Sequence, residues 1–362
     1  MSKIGASKIM VGLSGGVDSS LSAYLLKEAG SDVHAGFIKV WQPDFLPCSQ
    51  EQDRKDAIKV AAHLDVPCST IDLADTYKRE VVDYMISAYR AGKTPNPDVL
   101  CNKEVKFGAF LSHALLKGFD AVATGHYAQR RLNTSTDEYE LHRSVDENKD
   151  QTYFLWTLTQ AQLSHIIFPI GHMTKDAVRE MAAAVHLPSA ARKDSQGLCF
   201  VGHIDLKEFL SHFVTATQGV VVNQHGEEIG THDGALFYTV GQRHGFTAKT
   251  HSHNQQPYFV VSKDVEKNIL VVSDEVGYLT PQYDHHKISI TEANWINATP
   301  SVGDTLQARL RHRQTLFPCT IASVTKESAT VSLETPIPHI PEGQALVLYD
   351  NTRCVGGGFI VH

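Results

Sequence analysis

The stretch of the chain richest in chemistry-bearing residues is Gly12-Leu13-Ser14-Gly15-Gly16-Val17-Asp18-Ser19. Glycines let a backbone turn tightly and bring its N–H groups against phosphate oxygens. Ser14, Ser19 and Ser20 add hydroxyl donors, and Asp18 is suited to hold a magnesium ion. The lysine that ends a Walker loop and grips the β- and γ-phosphates is missing. A second block runs Lys93-Thr-Pro-Asn-Pro-Asp-Val-Leu-Cys101-Asn-Lys-Glu-Val-Lys106. Pro95 and Pro97 predict an extended loop that holds Asp98 and Cys101 just ahead of a helix, where a thiolate is favoured. A third block, Lys193-Asp-Ser-Gln-Gly-Leu-Cys199-Phe-Val-Gly202, reads as an irregular, mobile loop between glycines. The remaining cysteines, 48, 68, 319 and 354, read as small buried hydrophobes.

The elements that must position these groups follow from periodicity. Residues 8–13 read as a short buried strand running into the glycine-serine loop, and Leu21, Tyr24 and Leu25 carry helical spacing up to Gly30. Strands are expected at 33–40, 68–73 and 121–124, and helices at 53–64, 77–89 and 106–117. This alternation predicts a parallel sheet with helices on both faces, whose ligands sit beyond the carboxyl ends of the strands. Near residue 205 the pattern changes. Val, Ile and Thr alternate with polar residues between turns such as Asn223-Gln-His-Gly226, which predicts two small β-rich domains. The expected division is 1–205, 206–280 and 281–362, with strands of the last domain at 305–310, 319–324, 329–333 and 345–349.

Composition sets the outer bounds. The chain has 362 residues, ample for several domains, and no apolar run approaches a membrane span. The N-terminus shows no signal core or transit helix, so a cytoplasmic location is expected. Six cysteines without a C-x-x-C pair argue against a disulfide scaffold and a cysteine-rich zinc site, so no permanently bound metal or organic cofactor is expected. The formal net charge is −7, split as −2 for residues 1–200 and −5 for 201–362, so bulk charge gives no vote for RNA. A polyanion would need a local patch. Arg309, Arg311 and Arg313 alternate, which in a strand would line up three guanidiniums on one side. A solvated edge strand kept charged against aggregation is the plain structural alternative.

Taken together, these blocks closely resemble the tRNA-specific 2-thiouridylases, a branch of the ATP pyrophosphatases. The resemblance runs almost end to end: the loop at 12–19, Asn96-Pro97-Asp98 with Cys101-Asn102, Ala123-Thr-Gly-His-Tyr-Ala128, Lys149-Asp150-Gln151, Lys193-Asp-Ser-Gln-Gly with Cys199-Phe, Tyr238-Thr-Val-Gly-Gln-Arg243 and Gly356-Gly-Gly-Phe-Ile360. It implies an adenine-nucleotide alpha-hydrolase-like sheet, a central tRNA-contacting domain and a C-terminal β-barrel. It also implies sulfur transfer to C2 of uridine 34 with ATP, accompanied by Mg2+, as the energy source. Gly12 to Ser19 would bind the ATP phosphates, with the backbone around Ile38 and Gly125 against the adenosine. Asn96, Pro97 and Asp98 would hold the target base, Asp98 also serving as general acid/base. Cys199 would carry the persulfide and Cys101 would be the paired nucleophile. His126, Lys149, Asp150, Gln151, Arg311, His312 and Gln344 would contact tRNA at its anticodon stem-loop. A cysteine desulfurase or sulfur-relay protein would supply the sulfur. Ile38 departs from the usual methionine, and Val40 from a common asparagine.

Elementary chemistry runs the same way. A uridine C2 oxygen is a poor leaving group until AMP is placed on it, and sulfur delivery from one thiol leaves a disulfide that a second thiol must accept. Two other functions fit parts of the sequence. A ligase of the same loop class acting on a small carboxylate or nucleotide explains the loop but leaves Cys101, Cys199 and the β-rich tail idle. A nucleotide-gated RNA-binding protein needs no cysteine chemistry at all.

Overall fold

The computed structural model describes residues 7–45, 50–193, 206–249, 257–275, 277–281 and 284–361. Cys48 and Cys199 lie outside the described residues.

The first sheet is built from β1 (Lys8–Gly12), β2 (Asp32–Lys39), β3 (Cys68–Asp72), β4 (Ala121–Ala123) and a short strand that follows a hairpin. The hairpin is β5 (Ala128–Asn133) and β6 (Glu138–Arg143), and the short strand is β7 (Ile166–Ile167). The sheet order is β3-β2-β1-β4-β7, parallel throughout. Alternation in β1 sends Ile9 and Val11 to one face and Met10 to the other, and each face is buried under its own helices. α1 (Val17–Glu28), α2 (Gln50–His63) and the helix Lys175–Ala184 cover the first. The helical stretches between residues 74 and 116 cover the second. The expectation of helices on both faces is met. The chain passes from β1 to β2 on one side and later to β4 on the other, so the strand order reverses at β1. The crevice outside the ends of β1 and β4 is where such sheets bind ligands.

Two helices differ from their predicted form. The stretch expected as 77–89 starts at Ala74 and is wound more widely, as a π-helix, over Lys78–Asp83 before Tyr84–Arg90. The stretch expected as 106–117 starts nine residues earlier, as Pro97–Leu100, Cys101–Phe110 (again π-helical) and Leu111–Leu116. Proline at the first helical position needs no N–H donor and has its φ already set, so Pro97 starts a helix instead of forbidding one.

The second sheet has the order β10-β9-β8-β12-β11, with β8 (Gly219–Asn223), β9 (Glu228–His232), β10 (Thr247–Ala248), β11 (Phe259–Asp264) and β12 (Ile269–Ser273). The third comprises β13 (Lys287–Trp295), β14 (Thr305–Arg309), β15 (Phe317–Val324), β16 (Ser328–Ser332), β17 (Ala345–Asp350) and β18 (Arg353–Val361). Pairing of β13 with β18 closes these six strands into an antiparallel barrel, filled by Ile288, Ile290, Ala308, Ile321, Val331 and Leu348. The hairpin β5–β6 was not anticipated. It lies within the first part of the chain yet pairs with β18, through Arg353 opposite His142 and Cys354 opposite Leu141. A hairpin from the first part of the chain and the barrel therefore share one continuous sheet.

Candidate functional site

At the carboxyl end of β1 the chain turns sharply. Leu13 N donates to Gly36 O at 2.9 Å, which holds the loop against β2. Ser14 N donates to Ser19 Oγ (3.2 Å) and Gly16 N to Ser14 Oγ (3.3 Å), while Ser20 Oγ donates to Gly16 O (2.7 Å). Gly15 has φ +78°, and a Cβ there would lie 2.8 Å from the Arg192 guanidinium and 2.9 Å from Asp53 O. A Cβ on Gly125, in the turn after β4, would lie 2.6 Å from the backbone of Asp18 and Ser19. Both glycines are demanded by close approach of backbone to backbone. Leu13 and Val17 are buried in the core, as is the Ile38 side chain, which leaves the backbone of β2 as the part that can face a ligand.

Three side chains to which the sequence assigned no role surround this cradle. The Tyr127 hydroxyl donates to Asp18 Oδ1 at 2.7 Å, and the Lys175 ammonium lies 2.8 Å from both Asp18 oxygens. Arg192 pairs with Asp53 and, at 3.1 Å, with Asp56 on α2. These residues come from distant parts of the chain and form no local pattern.

The Asn96–Cys101 segment corrects its prediction. It is the first turn of a helix, not an extended loop: Asn96 is the N-cap, its Oδ1 accepting from Val99 N at 3.4 Å, and Pro97 is the first helical residue. Asp98 is half-buried, and its carbonyl accepts from Asn102 Nδ2 at 2.9 Å. Cys101 sits a full turn into the helix and is fully buried in the core, beyond the reach of most of the N-terminal dipole. The segment is pinned to the barrel. Gln344 Nε2 donates to Thr94 O and Pro95 O at 3.0 and 3.3 Å, and Thr94 N donates to Glu342 O at 2.8 Å. Gln344 is thereby placed to hold the segment that carries Asn96.

The expected tRNA contacts divide sharply. Asp150 is fully buried; it is ion-paired with Arg309 and accepts from Thr152 Oγ1 at 2.9 Å, so its carboxylate is turned into the protein. Gln151 is half-buried, its Oε1 accepting from the Tyr127 backbone N–H at 2.9 Å. His126 is buried, 2.8 Å from Thr124 Oγ1 and between Phe107 and Phe168. Burial, with the Lys106 charge beside it, pushes its pKa well below the ordinary histidine value, so it is neutral. His312 packs on Phe154, its pKa lowered to about 4 by burial and then by Arg313 and Arg309. Lys149 is half-buried, and Arg311 and Arg313 are exposed.

The three-arginine face does not exist. β14 ends at Arg309, so the period of two stops there; Arg309 turns inward to Asp150 while Arg313 sits in a turn with φ +64°. Arg311 Nη2 donates to Val240 O (3.3 Å) and Arg313 Nε to Asn148 O (3.0 Å). Among the other cysteines, burial pushes Cys319 and Cys354 up to about 12, as befits inert core thiols. Cys68 was expected to be buried as well, but it is exposed on β3, an edge strand.

Comparison with known proteins gives a consistent result. The family profile described as tRNA methyl transferase HUP domain matches residues 7–203. Profiles described as tRNA methyl transferase PRC-barrel domain and aminomethyltransferase beta-barrel domain match 207–274 and 285–360. A protein of Nitrosomonas europaea named tRNA-specific 2-thiouridylase MnmA is 42% identical over 359 residues, 98% of each chain. Proteins of the same name from Shouchella clausii and Bacillus subtilis are 43% and 42% identical. They cover 99% and 98% of this chain and 98% and 94% of their own lengths.

Proposed function

The chain belongs to the family of tRNA-specific 2-thiouridylases, and from that premise we propose how its residues carry the reaction. It replaces the C2 oxygen of uridine 34, the wobble position of the tRNA anticodon, with sulfur at the expense of ATP. What supports this course most is the place of the glycine-serine loop. It opens α1 at the reversal point of a parallel sheet, where backbone N–H groups and the helix dipole favour a phosphate anion.

ATP lays its phosphates on Gly12 to Ser19 and its adenosine against the backbone near Ile38 and Gly125. Asp18 is the residue that would hold the Mg2+ arriving with ATP, since one carboxylate plus substrate phosphates is an ordinary donor set for that ion. The ion supplies positive charge to the phosphates. Asn96, Pro97 and Asp98 receive the target base, and Asp98 moves the proton. The uridine O2 attacks the α-phosphorus, and pyrophosphate leaves toward the start of α1. The terminal sulfur of a Cys199 persulfide then attacks C2, and AMP departs carrying the former O2. The Cys101 thiolate attacks the Cys199 sulfur, leaving the transferred sulfur on C2 and forming a Cys101–Cys199 disulfide that a dithiol reductant reopens. Because the Cys101 side chain is buried, this last step requires the start of its helix to open. The β-rich domains hold the anticodon stem-loop through Arg311, Lys149 and their neighbours, and a persulfide-bearing donor protein reloads Cys199. The enzyme works in the cytoplasm.

Two measurements test this course. Cells without the protein should lose 2-thiouridine from tRNA, and wild-type protein after single turnover without reductant should yield the Cys101–Cys199 peptide on non-reducing mapping. Undiminished 2-thiouridine in those cells, or full activity of Cys101→Ser, would contradict it.

A further inference from the structure

The segment Lys149–Gln151 leads into a residue to which the sequence assigned no role. Thr152 N donates to Asp150 Oδ1 at 3.3 Å and Phe154 N to Gln151 O at 2.9 Å, so the chain winds through one turn of 3-10 helix, Thr152–Phe154. The turn sends the Tyr153 side chain into the core shared by the first domain and the barrel, where it is 1% exposed, with the Arg309 guanidinium 5.8 Å from its ring centre. Its hydroxyl donates to Leu310 O at 2.6 Å, with Ala345 O also in reach at 3.1 Å. The Asn96 side-chain amide donates to the same oxygen. Burial pushes the phenol's pKa up, so the hydroxyl keeps its proton and its role as donor.

Packing alone does not call for that hydroxyl, since a phenyl ring fills the same space. What it adds is direction. A hydroxyl has one proton to give, and the barrel carbonyls claim it, so toward Asn96 the Tyr153 oxygen can only accept. The Asn96 carboxamide, 8% exposed, must then turn its Nδ2 to Tyr153 and its Oδ1 to Val99 N, which is the orientation an N-cap needs. The flipped amide would set N–H against the Val99 N–H and oxygen against oxygen, losing both bonds. The same hydroxyl joins three segments: the turn that Asn96 caps, the barrel turn where Leu310 precedes Arg311 and His312, and the start of β17 at Ala345. Gln344, the neighbour of Ala345, holds Thr94 O and Pro95 O. Residues 94–96 are therefore gripped from two adjacent barrel positions, 94 and 95 through Gln344 and 96 through Tyr153.

We propose that Tyr153 is a positioning residue for the target base: the barrel carbonyls fix its proton, its oxygen fixes the Asn96 amide, and Asn96 fixes the turn that presents Pro97 and Asp98. Through the same bond the base is received in register with whatever the turn bearing Arg311 and His312 holds. This proposal rests on the thiolation reading above and deepens it.

The test uses the full chain, ATP with Mg2+, a persulfide donor protein and saturating tRNA. It reads the single-turnover rate of 2-thiouridine formation beside tRNA affinity from filter binding. Rates are expressed per mole of tRNA-binding sites, so any unfolded fraction drops out. Tyr153→Phe keeps the ring and loses the hydroxyl; its rate should fall roughly ten- to a hundredfold, the range for a misplaced reacting group, with tRNA affinity within about threefold of wild type. Asn96→Ser keeps an N-cap but has no amide to reach Tyr153, so the tyrosine has nothing left to act on. The double variant Tyr153→Phe with Asn96→Ser should be no slower than Asn96→Ser alone. A wild-type rate in Tyr153→Phe overturns the proposal. So does lost tRNA affinity with an unchanged rate at saturation, which marks a strut for the RNA surface. A double variant slowed further by the full Tyr153→Phe factor overturns it too, since the hydroxyl would then act without Asn96. If wild type itself forms no 2-thiouridine, the thiolation reading fails first, and the two failures are told apart.

Discussion

The glycine-serine loop and the surface proposed to meet tRNA were built by different means. The cradle is one contiguous stretch, residues 12–19, whose turn, donors and helix start all follow from neighbouring residues. The other surface is assembled from the 149–151 segment, the end of β14 and the loop before β17, with a buried ion pair and an amide hydrogen bond running between the first domain and the barrel. A local motif tolerates no change of shape. An assembled surface divides its polar residues between holding itself together and meeting a partner, and sequence spacing does not say which residue does which.

The sharpest way to break this contrast is at Gly15. Its positive φ and the 2.8–3.0 Å approaches of Arg192, Asp53 and Ala57 leave no room for a methyl group. Gly15→Ala should reduce tRNA-dependent AMP formation by about a hundredfold or more while tRNA affinity stays near wild type. Equal loss of both would show that the cradle is not an independent unit.

The buried pair comes next. Removing one partner of Asp150–Arg309 leaves an uncompensated charge, so Arg309→Met should cost about 3–5 kcal/mol in denaturant unfolding. The double variant Asp150→Leu with Arg309→Met should recover much of that. If Arg309→Met keeps wild-type stability but loses tRNA, Arg309 belongs to the RNA surface after all.

Smaller effects are expected at the exposed arginines. Arg311→Ala and Arg313→Ala should each lower the log–log salt slope of tRNA binding by roughly 0.7–0.9 if each meets a phosphate. Arg309→Ala should leave that slope alone. The smallest effect concerns His312. Its folded pKa of about 4 lies below the ordinary 6.5, so the unfolded chain takes up protons first as pH falls. Wild type should therefore lose stability relative to His312→Phe between about pH 6.5 and 4, and the two should run parallel above that window. Thermal unfolding across this range reads it directly.

How far the sequence reached follows the same division. The parallel sheet was legible because β1, β2 and β4 are short apolar runs between helical periods, and the barrel because its strands alternate. The hairpin β5–β6 was missed because Gln129, Arg130, Arg131 and Glu140 mask its apolar period, and its pairing with β18 sets His142 opposite Arg353, 211 residues away. At 95–97 two prolines were read as barring a helix when the second starts one. At 309–313 alternation was extended past the end of a strand. Lys175 lay in no block that the sequence singled out, and Tyr127, inside the 123–128 block, received no role of its own, because residues that meet only in three dimensions have no spacing to recognise.

The claim on which the account turns is that the loop at 12–19 serves transfer of AMP to the uridine C2 oxygen. The most direct measurement uses tRNA carrying oxygen-18 at C2 of uridine 34, wild-type protein, ATP and a persulfide donor, with mass analysis of the nucleotide products. The account predicts AMP bearing the heavy oxygen, one for each 2-thiouridine formed, alongside unlabelled pyrophosphate. Unlabelled AMP, or ADP and phosphate as the tRNA-dependent products, would contradict it.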